Sequence, residues 1–301
     1  FPYTTLFRSY ISNFVFFVAI SLVGSLVTAI LRLSGVTWAT PLTRISEIIA
    51  VAAIIMGGLT IIIDMGRPDR IYNLFLHGRL QSPIVWDVIV VTTYLTISLL
   101  LLFYPLLPDF HILSKKFKAN VKLSKIYAKL SLNWTGDAAQ TSIYKWSIST
   151  LSVLIIPVAF GIHTVTAWLF AATYRPGWDS SNFGPYFIAG AFVAGAGGVI
   201  ALMYILRRTH HLEEYITDFH FDKMGKLLVL LILVYIDFNV NEYLVPALKT
   251  TEKEVGHLKA LFYGEEAWLF YTVILGGLVF PAIALLFKGM RKPLPIFIIA
   301  V

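Results

Sequence analysis

The 301-residue sequence contains no cysteine and has few charged residues. Without cysteine, the chain has no disulfide bond, no thiolate-held iron–sulfur cluster and no covalently attached haem. Charged residues make up 14% of the chain and hydrophobic residues 57%, whereas about a quarter of the residues of a soluble domain are charged. These shortages exclude an ordinary soluble protein and favour a chain that folds within a lipid bilayer.

The apolar residues cluster into runs of about 18 to 25, long enough to cross a hydrocarbon layer of roughly 30 Å. A helix satisfies its own backbone hydrogen bonds there. We therefore predict an all-α, polytopic transmembrane helix bundle with seven complete spans. The predicted spans are residues 11–32, 46–64, 84–104, 148–172, 185–206, 226–247 and 266–287, and a cut-off eighth begins near residue 294.

Both ends of the chain are unusual. Residues 1–9, FPYTTLFRS, read like the in-frame translation of a common sequencing-adapter oligonucleotide. The apolar run that starts at Pro293 stops after nine residues, too few to span a bilayer. We therefore expect a fragment truncated at both ends, in which residues 10–301 form a single integral membrane domain.

Basic residues are unevenly divided between the two sides of the predicted bundle. The loops on one side carry sixteen lysines and arginines, and those on the other side carry seven. The richer side is expected to be cytoplasmic. This asymmetry accounts for the net charge of +7 without a nucleic-acid partner. The segment 105–145, partly basic and amphipathic, is expected to lie on the cytoplasmic surface.

Several polar residues lie inside predicted spans, where ionisable groups are costly. Asp87 lies just inside the third span and His163 nearer the middle of the fourth. Asp237 is mid-span with Asn241 one turn on, and Glu242 lines a neighbouring face. Together they suggest a proton-handling site, with Asp237, Asn241 and Glu242 as relay candidates. The alternatives are an interfacial helix cap at Asp87, a structural histidine at His163 and helix–helix contacts at Asp237 and Asn241.

The histidine count disfavours haem. Of seven histidines only His163 lies well within a span, and a bis-histidine haem needs two that face each other. No metal-ligand spacing such as HExxH occurs, and His210 with His211 fits a solvated charged run. We predict that this chain holds no haem, iron–sulfur cluster or metal.

Three polar loops are predicted on the outer side, residues 64–82, 174–185 and 248–265, and the first two contain candidate network residues. DMGRPDR (64–70) is a tight turn shaped by Gly66 and Pro68, and YRPGWDSSNFGP (174–185) leads into the fifth span. These loops suggest a docking surface or the rim of a cavity, and the alternative is a purely structural turn. The candidate residues are Asp64, Arg67, Asp69, Arg70, Arg175 and Asp179. The small residues of GAFVAGAGG (190–198) are expected to allow close helix packing.

Four motifs, DMGRPDRIYN, SPIVWDV, IPVAFGIHTVTAWLFA and PGWDSSNFGPYFIAGA, occur in order at predicted helix ends. With them the chain resembles the NrfD/polysulfide-reductase membrane-subunit family over about residues 11–290. The most similar branch is the quinol-oxidising membrane subunit of alternative complex III and related molybdopterin oxidoreductase-like complexes. Two departures argue against alternative complex III proper. Leu22 and Asp179 stand where that branch commonly has histidines.

The resemblance implies two four-helix bundles in a prokaryotic cytoplasmic (inner) membrane. It also implies a subunit without metal cofactors that binds menaquinone or ubiquinone and is not an enzyme alone. Asp87 and His163 match the residues of the family's quinol site. The implied partners are an extracytoplasmic iron–sulfur or molybdopterin-type subunit and, in some complexes, a cytochrome subunit and a second NrfD-like subunit.

Two other functions remain open at this point. A secondary transporter is suggested by Asp237, Asn241 and the proline-interrupted spans at Pro157, Pro246 and Pro281, although no half-to-half repeat is visible. A purely structural anchor for a peripheral enzyme would use the polar residues for packing alone.

Overall fold

The computed structural model describes residues 2–35, 40–172, 180–249 and 252–301. Every regular element in these ranges is helical, which confirms the all-α prediction. The helices are α1 (Pro2–Leu33), α2 (Thr40–Asp64), α3 (Tyr72–His77), α4 (Pro83–Lys116), α5 (Val121–Leu130), α6 (Ala138–Ala171), α7 (Phe183–Thr209), α8 (Asp218–Lys249), α9 (Glu252–Tyr263), α10 (Ala267–Tyr271), α11 (Phe280–Ala284) and α12 (Pro293–Ala300). Short 3-10 turns at Pro68–Arg70 and Lys288–Arg291 precede α3 and α12.

Seven helices are long and apolar enough to cross a membrane, as predicted. Six of them are formed by α1, α2, α4, α6, α7 and α8. The seventh is composite, because α10 and α11 are joined by a π-helical segment, Thr272–Val279. Wider turns of this kind are a recognised cause of local bending in a helix. The chain is therefore an integral, multi-pass membrane protein.

The first bundle consists of α1, α2, α4 and α6 packed around one apolar core. Its centre is polar at one point, where the Tyr94 hydroxyl donates to the Ser21 carbonyl at 2.7 Å. Ser25 Oγ lies 2.6 Å from the same hydroxyl. The apolar side chains of this core include Leu22, Leu26, Ile54, Leu101, Ile155, Ala159 and Ile162.

The second bundle consists of α7, α8, the composite seventh span and α12, and it joins the first mainly through the contact of α1 with α7. This arrangement agrees with the two four-helix bundles that the resemblance implies. Its core side chains include Ala196, Val199, Ile200, Met203, Phe221, Leu228, Ile232, Leu285 and Ile296.

Small residues let the two bundles approach closely, as the GAFVAGAGG segment predicted. A Cβ atom added at Gly195 would lie 2.5 Å from the Ala19 carbonyl oxygen and would collide with Val23, both on α1. A Cβ atom at Gly24, on α1, would lie 2.6 Å from the Ser46 carbonyl oxygen on α2. The α1–α7 and α1–α2 contacts therefore require glycine at these positions.

The two ends of the helical bundle carry different loops. We call the end with residues 65–82 and the N-terminus of α7 the predicted outer end. Ion pairs join helices at the opposite end. Arg32 and Glu47 approach to 2.5 Å, and Arg44 and Asp109 to 2.7 Å. Arg207–Asp218 and Arg291–Asp222 also join different elements at that end, whereas Lys226–Asp222 is a pair within α8.

Helix ends differ from the predicted span ends at several places. The third span was predicted to end at residue 104 and the fourth to begin at residue 148, but α4 continues to Lys116 and α6 begins at Ala138. Hydropathy marks only the part of a helix in lipid, whereas its backbone hydrogen bonds continue into water. Asp137 caps α6 by accepting a 2.8 Å hydrogen bond from the Gln140 N–H, which lowers the pKa of its carboxyl.

Parts of three predicted loops are also helical. Within 105–145, the basic helix α5 packs on α4 through Tyr127, whose ring stacks with Phe110 and Phe117. On the predicted outer side, α3 and α9 form short helices within segments that were predicted only as polar loops. Such short helices have too few apolar residues to be recognised as spans.

Candidate functional site

Asp87 lies in the second turn of α4, at the predicted outer end of the first bundle. Pro83 occupies the first turn of α4, where a missing N–H costs nothing. The Trp86 indole N–H donates to the Leu80 carbonyl and ties this turn to the preceding loop. The Asp87 side chain points inward and is 7% exposed. It is therefore buried, not a carboxylate that reaches into solvent at the interface.

The partner of Asp87 comes from α6. The Thr166 hydroxyl donates a 2.8 Å hydrogen bond to Asp87 Oδ1. His163 precedes Thr166 by three positions, and residues three apart lie on the same face of a helix. The two predicted site residues therefore reach the same region, because α4 and α6 pack side by side. Gly161, on α6, faces Val90 on α4, and a Cβ atom there would make only an ordinary van der Waals contact at 3.7 Å.

His163 is 1% exposed. The carbonyl oxygen of Ala159, one turn earlier, faces the ring. Nevertheless, Nδ1 makes no hydrogen bond of normal geometry with any residue that the structure describes. Most buried polar atoms have such a partner. An imidazole in this condition is available to a ligand that brings its own donor or acceptor.

An aromatic cluster lies on one side of this imidazole. The Phe187 ring, on α7, has its centroid 6.1 Å from that of His163. Phe170 and Phe183 lie 5.9 and 6.0 Å from Phe187, centroid to centroid. Because Phe183 and Phe187 are on α7, the second bundle contacts the site through these rings. A flat apolar ring would find complementary surfaces here.

An open cavity of about 600 Å³ lies at the predicted outer end beside α4. Ser82 and Val85 line it, so it reaches the first turn of the helix that carries Asp87. The loop side of the cavity is basic and is lined by Arg67, Arg70, His77 and Arg79. Its volume is in the range of small-molecule sites.

The relay candidates on α8 do not form one cluster. Asp237 is exposed on the surface of the described bundle, and Asn241 donates a 3.0 Å hydrogen bond to the backbone carbonyl of Asp237. Glu242 is buried and accepts hydrogen bonds from the Ser180 hydroxyl at 2.8 Å to each carboxylate oxygen. Asn182 also contacts Glu242, at 3.4 Å. Asp237 and Glu242 therefore lie on different faces of the helix.

A tyrosine cluster lies next to Glu242 in the second bundle. The centroids of the Tyr186 and Tyr235 rings are 5.3 Å apart. The Tyr243 hydroxyl donates to Asn239 at 3.2 Å. This polar cluster belongs to the second bundle, whereas Asp87 and His163 are carried by helices of the first.

The predicted outer-loop network forms only in part. Arg67 and Asp69 approach to 3.6 Å, and both side chains are largely exposed. Within the described part of the chain, this is the only ion pair formed by the four charged residues of DMGRPDR. Asp64 ends α2, and Arg70 lines the cavity with Arg67. Gly66 adopts φ +67°, a value that the turn after α2 requires and that glycine tolerates. The other two candidates, Arg175 and Asp179, lie outside the described residues.

Sequence reasoning missed Thr166 and the Phe187 ring. The signal for Thr166 was its spacing, since a polar residue three positions after His163 shares that helix face. Phe187 is an aromatic residue near a span end, and such residues are common at membrane interfaces, so the sequence offers no reason to place it at the site. Leu22, at the place where the similar branch has a histidine, is fully buried in the first apolar core and supplies no polar group.

Comparison with known proteins agrees with this architecture. Residues 2–300 match the family described as Polysulphide reductase, NrfD. A putative membrane subunit of dimethyl sulfoxide reductase from Halobacterium salinarum is 29% identical over 205 residues, which are 66% of this chain and 43% of that protein. A selenate reductase subunit from Mesobacillus selenatarsenatis is 20% identical over 289 residues, 92% of this chain and 66% of that protein.

The chain thus spans less than half of the first relative and just under two thirds of the second. The family match, in contrast, extends over nearly the whole chain and includes all seven spans. The protein belongs to the NrfD polysulphide reductase family of integral membrane proteins.

Proposed function

We propose that the chain is the quinone-reactive membrane subunit of a respiratory oxidoreductase complex, and that it oxidises quinol. The observation that carries this proposal is the Thr166–Asp87 hydrogen bond, which brings a buried carboxyl to the helix face of His163. Burying two ionisable side chains at one end of an apolar bundle costs free energy, and such residues usually mark a functional site.

A quinol fits the chemistry of these residues. Its ring is flat and apolar, which suits the Phe187 surface beside His163. Its hydroxyl groups can hydrogen-bond with the imidazole, whose Nδ1 has no partner of normal geometry in the described chain. The cavity at Ser82 and Val85 offers a route from the predicted outer end to the first turn of α4.

A bound quinol supplies two electrons and two protons. His163 binds one hydroxyl and accepts its proton at a ring nitrogen. Asp87 stabilises the charge that develops on the imidazole and accepts the proton in turn. The second quinol proton follows the same route once Asp87 has released the first. The Thr166 hydroxyl holds the Asp87 carboxyl in place through this transfer. The basic cavity beyond Asp87 leads the proton towards the predicted outer surface.

The electrons leave to a partner subunit on the predicted outer side. Both relatives carry the names of reductase subunits, which supports quinol oxidation as the direction of electron flow. An iron–sulfur or molybdopterin-type subunit that docks over the basic cavity is the partner that fits best. The exposed guanidinium groups of Arg67, Arg70 and Arg79 would pair with acidic groups on it.

The test is quinol turnover by the assembled complex. His163→Phe keeps the ring volume beside Phe187 but removes both nitrogens, and Asp87→Asn keeps the shape of the carboxyl without its charge. Loss of a positioned general base costs about 10² to 10⁴ in rate, so each variant should lower quinol oxidation at least tenfold.

Asp109→Asn, at the opposite end of the bundle from the proposed site, is the matched control and should retain turnover. Co-purification of the partner subunits establishes assembly in each variant. Parental turnover in both site variants would assign Asp87 and His163 to structural roles. Solute uptake by the isolated chain would instead support a transporter.

A further inference from the structure

The end of α4 and the basic helix α5 carry a dense cluster of lysines. No aspartate or glutamate occurs between Asp109 and Asp137, whereas six lysines do. All six side chains are exposed, and within the described residues none of them is in an ion pair. This surface therefore has a positive charge that no described residue neutralises. The six are Lys115, Lys116, Lys118, Lys122, Lys125 and Lys129.

The lysines of α5 point away from α4. The Tyr127 ring stacks with the rings of Phe110 and Phe117, and the Ser124 hydroxyl donates a 2.8 Å hydrogen bond to the Ser114 carbonyl. These contacts define the side of α5 that packs on α4. At about 100° per residue, the three lysines of α5 lie roughly opposite that side, and we call them the lysine face. They are Lys122, Lys125 and Lys129.

An exposed apolar stripe adjoins the lysine face. Leu123, Ile126 and Leu130 are spaced by three and four positions, so they share one side of α5. All three side chains are exposed in the structure. A short helix with lysines on one face and exposed aliphatic side chains beside them is typical of helices that lie in the interface of a membrane.

The contact with α4 holds α5 at the level of the membrane surface. Phe110, which stacks with Tyr127, lies six positions beyond residue 104, where the predicted third span ends. Six positions correspond to about 9 Å, and the headgroup region extends roughly 5 to 8 Å beyond the hydrocarbon layer. The long stems of the lysines allow their ammonium groups to reach the headgroups from this level.

We propose that α5 binds anionic phospholipids, with the lysine face on the headgroup phosphates and the apolar stripe inserted between the headgroups. Clusters of four to eight basic residues beside a membrane-spanning helix attract anionic lipid in this way. An acidic protein would also attract the lysines. A lipid is favoured because α5 is attached to a spanning helix at the depth of the headgroups and exposes aliphatic side chains there. This inference concerns the contact of the chain with its bilayer and does not rest on the quinol site.

The absence of cysteine from the chain allows a direct test with a single fluorescent label. An environment-sensitive fluorophore on Ile126→Cys reports on the apolar stripe, and the same fluorophore on Ala128→Cys reports on another exposed side of α5. The purified chain is reconstituted in nanodiscs of phosphatidylcholine, alone or mixed with phosphatidylglycerol. With phosphatidylglycerol, the emission at Ile126→Cys should shift to shorter wavelength and its quenching by acrylamide should fall at least about twofold. The label at Ala128→Cys should change much less.

Removal of the charge should remove the effect of the anionic lipid. In the Ile126→Cys background, the combined substitutions Lys122→Gln, Lys125→Gln and Lys129→Gln should give the same quenching in both kinds of nanodisc. High salt should act on the parental chain in the same direction, because it screens exposed charges.

The matched control combines Lys253→Gln and Lys259→Gln, on α9 at the opposite end of the bundle, and should leave the lipid effect unchanged. Equal thermal midpoints of all variants in detergent establish that they are folded. Equal quenching of the parental Ile126→Cys label in the two lipids would overturn the proposal, and so would a lipid effect that persists without the three lysines. Protection of this label only when the partner subunits are present would assign α5 to an acidic protein and would also overturn it.

Discussion

Thr166 and Asp87 are 79 positions apart in the chain and are joined by a 2.8 Å hydrogen bond between buried side chains. The bond connects α6 to α4 at the predicted outer end, beside His163. It gives the buried Asp87 carboxyl a defined orientation. In the proposed quinol site, Thr166 therefore positions Asp87 without transferring a proton itself, and the effect of removing its hydroxyl on quinol oxidation can be measured.

Thr166→Val removes the hydroxyl at nearly constant side-chain volume and leaves Asp87 without its donor. A hydrogen bond to a charged group contributes about 1.5 to 3 kcal/mol, and 1.4 kcal/mol corresponds to about a factor of ten in rate. We expect quinol oxidation by the complex to fall roughly tenfold or more. Thr166→Ser retains a hydroxyl and should restore most of the rate. Equal rates in the two variants would assign Thr166 to packing alone.

The basic asymmetry of the loops predicts the orientation in the membrane. Leu76, in α3, and Lys125, in α5, have exposed side chains on opposite sides of the bundle. In this cysteine-free chain, Leu76→Cys should react with a membrane-impermeant maleimide in intact cells. Lys125→Cys should react only after the cells are opened. The reverse labelling pattern would place the proposed quinol site on the cytoplasmic side.

The close contact of α1 with α7 predicts that Gly195→Ala destabilises the protein. The added methyl would lie 2.5 Å from the Ala19 carbonyl oxygen, so the two bundles must separate locally. Overpacking of this kind costs about 1 to 3 kcal/mol, and the thermal midpoint of the purified chain in detergent should fall. Gly58→Ala is the control, because a Cβ atom there meets no atom within 4 Å. Equal midpoints for the two variants would contradict the α1–α7 contact.

The two ion pairs Arg32–Glu47 and Arg67–Asp69 predict unequal effects of removing one carboxylate. The Glu47 side chain is 4% exposed and lies 2.5 Å from Arg32, whereas Asp69 is 64% exposed and lies 3.6 Å from Arg67. Loss of one partner of a buried pair costs about 3 to 5 kcal/mol, and an exposed pair contributes at most about 1 kcal/mol. Glu47→Ala should therefore lower the thermal midpoint much more than Asp69→Ala. Similar midpoints would show that the buried pair contributes little.

The sequence by itself determined that the chain is a polytopic helical membrane protein with seven spans. Span length and apolar composition are local properties, and a bilayer accepts few alternatives to a helix. The small residues around Gly195 likewise indicated close packing, and the structure confirmed it. The motifs around Asp87 and His163 predicted the family, which the match over residues 2–300 confirmed.

Only the tertiary structure decided which polar residues meet. Asp237 and Glu242 were both predicted relay candidates, yet α8 is rotated so that Glu242 contacts Ser180 while Asp237 faces outward. Thr166 had no role in the prediction until the packing of α4 against α6 placed it on Asp87. Hydropathy fixes where a helix enters and leaves the membrane but not its rotation about its own axis. That rotation depends on side-chain packing between helices far apart in the chain, and it determines the partner of each buried polar group.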